Sequence, residues 1–262
     1  MSHLPPAQDH PAAHSMDSTW FAVDDDGQVA VFDTGEGGAL PSIPGFPACG
    51  EAAMDNVLEV GELATAVLEV RAAAEPVLAD LLPDIDDALR ARLADTWWDF
   101  DDEEGARLLA ALGVHCYVVD DGWALPYVHR TPVGRPIDIE KLPARLRLRL
   151  DRARLPVRFS AGRPVAPGEH VAITAWGEWW VDTEWRVHRV DGQPLTPEVQ
   201  RTASDLADEA RSHPFEVLPE LSTGELQAAI QQWLHRAREV NTPRETTRKR
   251  GVLDWFRSLM GH

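Results

Sequence analysis

Lysine is almost missing from this chain of 262 residues: Lys141 and Lys249 stand alone. Cysteine is equally scarce, represented by Cys49 and Cys116. Two thiols give neither a disulfide framework nor a four-thiolate zinc site, and such usage fits a reducing cytoplasm. No apolar run approaches the ~20 residues that span a bilayer. Residues 1–16 lack the basic and apolar regions of a secretory signal. The chain also lacks G-x-S-x-G, H-E-x-x-H, a Rossmann glycine pattern and a P-loop lysine, which removes the motif-level signals for those enzyme classes. The abundance of Arg, Ala, Asp and Pro beside so little Lys suggests a GC-rich bacterial genome.

What is present begins with charge. The formal net charge is -18, and it is unevenly spread. Residues 1–104 hold 23 acids against three arginines, a balance of -20, while residues 105–262 hold 20 acids against 22 bases, a balance of +2. The first part repels nucleic acid, whose binding needs clustered Lys and Arg, and suits a basic protein partner. A solubilising role is the plainer reading of the same charge. A hydrophobic fraction of 44% is ordinary for a chain that buries a core.

Residues 1–16, with His3, His10 and His14 among prolines and small polar residues, read as a disordered tail. Trp20–Val23 and Val29–Phe32 are strand-forming runs. Asp24-Asp25-Asp26-Gly27 between them is a hairpin signal. Its aspartates can accept from nearby backbone amides. Their consecutive spacing, with no closing glutamate, does not match a calcium loop. The same grammar returns in His115–Val119, Asp120-Asp121-Gly122 and Trp123–His129, and again at Asp191-Gly192 after Trp185–Val190. The repetition marks these as structural turns.

Helical periods fill the intervals. Leu63, Val67 and Val70 stripe Glu62–Ala74, and Ile85, Leu89, Leu93 and Trp97 stripe Asp84–Trp98. Asp101–Glu104 favour the start of a further helix, and Gly113 suits its left-handed cap. Pro143 can open a helix with Leu142, Leu146 and Leu150 on one face, although Leu146, Leu148 and Leu150 also alternate as in a strand. Six arginines between 145 and 158 make this a basic island, expected to pair with the acidic part of the same chain. Thr196-Pro197 opens one C-terminal helix and Ser222 or Thr223 another, through Leu226, Ile230, Trp233 and Leu234.

Two stretches carry candidate site residues. In Trp176–Trp185, WGEWWVDTEW, strand alternation puts Glu178, Trp180, Asp182 and Glu184 on one face, and Trp179, Val181, Thr183 and Trp185 on the other. The first face suits a partner, or a hydrolase using paired carboxylates, although neighbours ~7 Å apart by strand rise do not diagnose a glycosidase. Packed tryptophans beside solvated acids explain the same pattern structurally. The second stretch follows the linker Asn241–Lys249. Gly251–His262 reads as a short amphipathic helix whose Trp255, Phe256 and Leu259 suit a protein groove, in the manner of an adaptor. A membrane is the poorer destination for so short a helix. His115-Cys116, with Cys49, His129 and His188, lacks the spacing of a metal or thiol site, and no metal or cofactor is expected.

Trp20, Ala22, Asp24, Gly27, Val29, Ala30, Phe32, Thr34, Gly35, Glu36, Gly38 and Pro41 together resemble the start of bacterial proteins of the SUKH superfamily of immunity proteins. The resemblance covers about 24 residues. It implies an α+β, non-catalytic protein that neutralises a toxin by binding it, and transfers no site residue. The helices before the second hairpin depart from that superfamily's pattern. The expected architecture is α+β: a mixed or mainly antiparallel sheet of hairpins flanked by helices. A single domain over residues 17–240 is expected, with 241–262 as linker and helix. The expected function is non-catalytic protein binding in the cytoplasm.

Overall fold

Glycine at position 27 takes φ +77° and closes the first hairpin, as an Asp-Gly turn between two strand-forming runs requires. β1, Thr19–Val23, and β2, Val29–Asp33, pair antiparallel with Trp20 opposite Phe32 and Ala22 opposite Ala30. The computed structural model describes residues 19–33, 59–82, 84–118, 127–165, 179–181, 186–189, 192–198, 200–201, 204–205, 208 and 217–240. The fold is α+β. β2 pairs parallel with β3, His115–Val118, which pairs antiparallel with β4, Val128–His129, so a mixed sheet runs β1-β2-β3-β4. The parallel pair needs a long crossover, and four described helices lie within the chain that makes it.

These are α1, Val60–Ala74; the short α2, Pro76–Ala79; α3, Asp87–Thr96; and α4, Asp102–Leu112. Asp86 caps α3, accepting from the Leu89 amide at 2.7 Å, and Asp101 caps α4, accepting from the Glu104 amide at 2.8 Å. Such caps satisfy amides that a helix start leaves orphaned. The α3 stripe therefore begins three residues later than its sequence pattern, and a 3-10 turn, Trp97–Asp99, finishes it. Gly113 takes φ +104° after α4, as anticipated, and a side chain there would strike the Arg135 carbonyl. Gly61 is constrained differently: α1 approaches α3 so closely that a Cβ at 61 would collide with the Ala94 backbone.

One hydrophobic cluster joins helices to sheet. Phe21, Val23, Val29, Val31 and Cys116 of the strands pack with Leu63, Val67, Leu108, Leu109 and Leu112 of the helices. α5, Ala144–Leu150, is helical rather than extended. Leu142, Leu146 and Leu150 are buried while Leu148 is 73% exposed; strand alternation would have put Leu148 with its neighbours. Its arginines reach the acidic region as expected: Arg149 and Arg145 both pair with Glu62, at 2.8 and 3.4 Å.

α6, Thr223–Glu239, starts with a full capping box between Ser222 and Glu225. Its Ile230, Trp233, Leu234 and Ala237 are buried, and the Trp233 indole N–H donates to the Leu93 carbonyl at 3.0 Å. Trp97 packs edge-on to Trp233 at 5.3 Å. β5, Trp179–Val181, and β6, Val187–Arg189, form a separate antiparallel pair with Trp180 opposite His188. Described positions from Pro197 to Asp208 are helical, in keeping with the Thr196-Pro197 signal. No described helix is long and apolar enough to cross a membrane.

Candidate functional site

Strand alternation sends Trp20, Ala22, Ala30, Phe32, His115 and Tyr117 to the sheet face opposite the helices. Register lines up Trp20, Phe32, Tyr117 and His129 across all four strands. Trp20 stacks on Phe32 at 4.0 Å, Phe32 on Tyr117 at 4.9 Å, and Tyr117 meets His129 at 4.9 Å. Among the described residues this face is covered by a segment that holds a single 3-10 turn, Phe159–Ala161. Arg154 bridges to Val23 on β1, and Val165 bridges to Tyr127 beside β4. The segment between them is a strap running from one edge of the sheet to the other. Phe159 sits beneath it at 0% exposure, against Phe32, His115 and Tyr117.

A strap carries backbone groups that need partners, and Asp24 supplies one of them. Its Oδ1 accepts from the amides of Asp26 and Gln28 at 2.9 and 2.8 Å, and its Oδ2 accepts from the Phe159 amide at 2.8 Å. The Asp25 amide donates to the Val157 carbonyl at 3.1 Å. Asp24 is 1% exposed, so this carboxylate is a structural node of the turn. The sequence reading of Asp24–Gly27 as a structural turn is met, and the carboxylate also ties down a segment 135 residues away.

Gln28, at the end of the same turn, anchors a second polar group. Its Oε1 accepts from His115 Nε2–H at 2.8 Å, and His115 Nδ1 lies 3.0 Å from His129 Nε2. The two ring centroids are 5.1 Å apart, which exceeds the nitrogen separation by nearly two ring radii. The nitrogens therefore meet head-on, as donor and acceptor do, and not in the convergent arrangement of two ligands around a cation. With Nε2–H of His115 given to Gln28, its Nδ1 accepts from His129 Nε2–H. That leaves His129 Nδ1 as the bare acceptor at the end of the relay. Desolvation by burial pushes His115 down to about 3, helped by repulsion from His129, and pushes His129 down to about 4. Both rings are neutral near pH 7.

The remaining reactive groups nearby are held silent. Burial pushes the Cys116 thiol up to about 12, aided by Asp33, which disfavours the thiolate that makes a cysteine reactive. Burial also raises the Tyr117 and Tyr127 phenols above their ordinary range. The Trp20 indole donates to the Tyr127 hydroxyl at 3.2 Å. Among the described residues, no three His, Cys, Asp or Glu side chains come together in a way that would hold a metal ion.

The relay joins His115 and His129, which the sequence suggested without a spacing to support them, and it sends the adjacent Cys116 to the helix face. The signal was available in alternation: His115 and Tyr117 share a face, and an antiparallel return places His129 beside Tyr117. Gln28 was missed, because a turn-end glutamine has no pattern of its own. Of the tryptophan strand, Glu178, Asp182 and Glu184 lie outside the described residues, and Trp180 is placed by its backbone in β5. Cys49, Trp255, Phe256 and Leu259 also lie outside them. A scan of family models, a search of curated proteins and a search of solved structures each return no match to the chain.

Proposed function

We propose that the chain is a non-catalytic protein-binding module of the bacterial cytoplasm, with neutralisation of a basic toxin as its most concrete form. The observation that carries the reading is the division between interior and surface. Asp24 is occupied by three amides, His115 by Gln28 and His129, and the Cys116 thiol is held protonated. The charge sits outside: Asp84, Asp86, Asp87 and Asp101–Glu104 are exposed at the starts of α3 and α4. Residues 59–118 hold 14 acids against four arginines, a balance of -10. Exposed charge of one sign speeds encounter with an oppositely charged partner and selects against like-charged ones. The resemblance of the first hairpin to SUKH immunity proteins points the same way.

The test is to co-express the chain with a toxin encoded beside it and to measure survival and complex formation. Protection with a 1:1 complex supports the reading. A complex whose association rate falls with salt, and falls again in a quadruple D101N/D102N/E103Q/E104Q variant, assigns the acidic helix starts to the contact. Asn retains the capping oxygen at position 101, so the variant is expected to fold. The absence of both protection and a complex would overturn the proposal.

A further inference from the structure

The relay has an inner end, closed by Gln28, and an outer end at which no hydrogen bond is made among the described residues. Gln28 Oε1 accepts from His115 Nε2–H, and His115 Nδ1 accepts from His129 Nε2–H. At the outer end stands Gly162, at φ +61° in the strap: a Cβ built there would lie 3.9 Å from His129 Nδ1. A side chain there would begin in van der Waals contact with the nitrogen, and glycine presents none. His129 is half-buried while His115 is 1% exposed, so access runs to His129. We infer that His129 Nδ1 is a binding site for a neutral O–H or N–H donor, held ready as an acceptor by Gln28 acting through His115.

Two considerations fix the class of ligand. A relay of this polarity has its lone pair outward, so it receives a donor and offers none. A cation or a proton at Nδ1 would place positive charge on a ring packed against His115 and Tyr117 and largely removed from water. Burial opposes that charge, as the lowered values of both histidines show. The other titratable groups facing the pair do not relieve it. Asp24 is committed to backbone amides, and the Tyr117 phenol stays protonated. Arg158 on the strap is paired with Asp26 at 3.6 Å. A neutral alcohol, phenol or amide meets the acceptor without this cost.

The test uses phenol as probe, anisole as its donor-free control, and the full chain labelled with nitrogen-15. Long-range proton–nitrogen spectra are expected to show His129 protonated at Nε2 and bare at Nδ1, unchanged from pH 8 to pH 5. Phenol should then shift the Nδ1 resonance saturably and anisole should not. Gly162→Asn is expected to abolish the phenol shift, since Asn tolerates the left-handed backbone and sets its own amide beside the nitrogen. Gln28→Leu should release the tautomer and reduce the shift. A protonated Nδ1 in the unaltered chain would overturn the inference, as would equal responses to phenol and anisole. If Gln28→Leu does not fold, the tautomer reading and the Gly162→Asn result decide the matter unaided.

Discussion

The two faces of the sheet are built from the same strands and covered in opposite ways. On one face Phe21, Val23, Val29, Val31 and Cys116 meet helices. A helix satisfies its own backbone, so apolar contact is all that face must provide. On the other face the cover is the strap, which pairs only part of its backbone within itself. That face carries Asp24, which accepts from the Phe159 amide, and Gln28, which accepts from His115. Cover type therefore decides where polar chemistry enters a core: the histidine relay lies on the strapped face.

The largest effects should come from emptying either face. Phe32→Ala, at 0% exposure and stacked between Trp20 and Tyr117, is expected to cost about 3–5 kcal/mol, and Leu63→Ala under the helices about 2–5 kcal/mol. Urea unfolding measures both. Equal losses would show that apolar packing governs the two faces alike.

Asp24 should separate them. Asp24→Ala leaves three amides without their acceptor, and at ~1–3 kcal/mol for each buried unsatisfied group the loss should rival that of a core leucine. Asp24→Asn should retain part of the turn and cost less. No site on the helix face should show such sensitivity to a polar substitution. If Asp24→Ala were neutral in thermal melts, the strap would not depend on its clamp.

Acid should weaken the strapped face first. The histidine pair has folded values of about 3 and 4, below the ordinary histidine value of ~6.5. Between these limits the unfolded chain binds more protons than the folded one, so stability rises with pH across the window and falls as pH drops through it. Much of that loss should show between pH 6.5 and 5, before most carboxylates titrate. A double His115→Leu/His129→Leu variant should flatten this slope in denaturant midpoints.

The smallest effect concerns charge at the rim. Glu62→Gln removes the partner of Arg145 and Arg149, and partly exposed pairs of this kind contribute about 1 kcal/mol or less. A midpoint shift beyond that range would mean the basic island is anchored more firmly than its geometry indicates.

Local features were legible in the sequence and distant ones were not. The Asp-Gly turn, the α3 stripe, the Gly113 cap and the Ser222 start all depend on residues within a few positions of one another, where backbone preference acts directly. The leucines of Leu142–Leu150 were consistent with helix and strand until burial separated Leu148 from Leu146 and Leu150. The parallel pairing of β2 with β3 across a helical crossover has no local signature. The relay needed both that pairing and the β3–β4 register. The bond from the Phe159 amide to Asp24 joins residues whose relation exists only after folding.

That bond also bears on the order in which the molecule assembles. The first hairpin can close early, since its turn is local. Its buried carboxylate nevertheless lacks one of its donors until residue 159 arrives, by way of a helical crossover and a second hairpin. A half-built hairpin of this kind is penalised, and late docking of the strap removes the penalty. The turn and the strap should consequently open together, as one cooperative unit. In native-state hydrogen exchange the Phe159 amide, though it lies outside the sheet at the start of a 3-10 turn, should exchange as slowly as amides in the middle of β2.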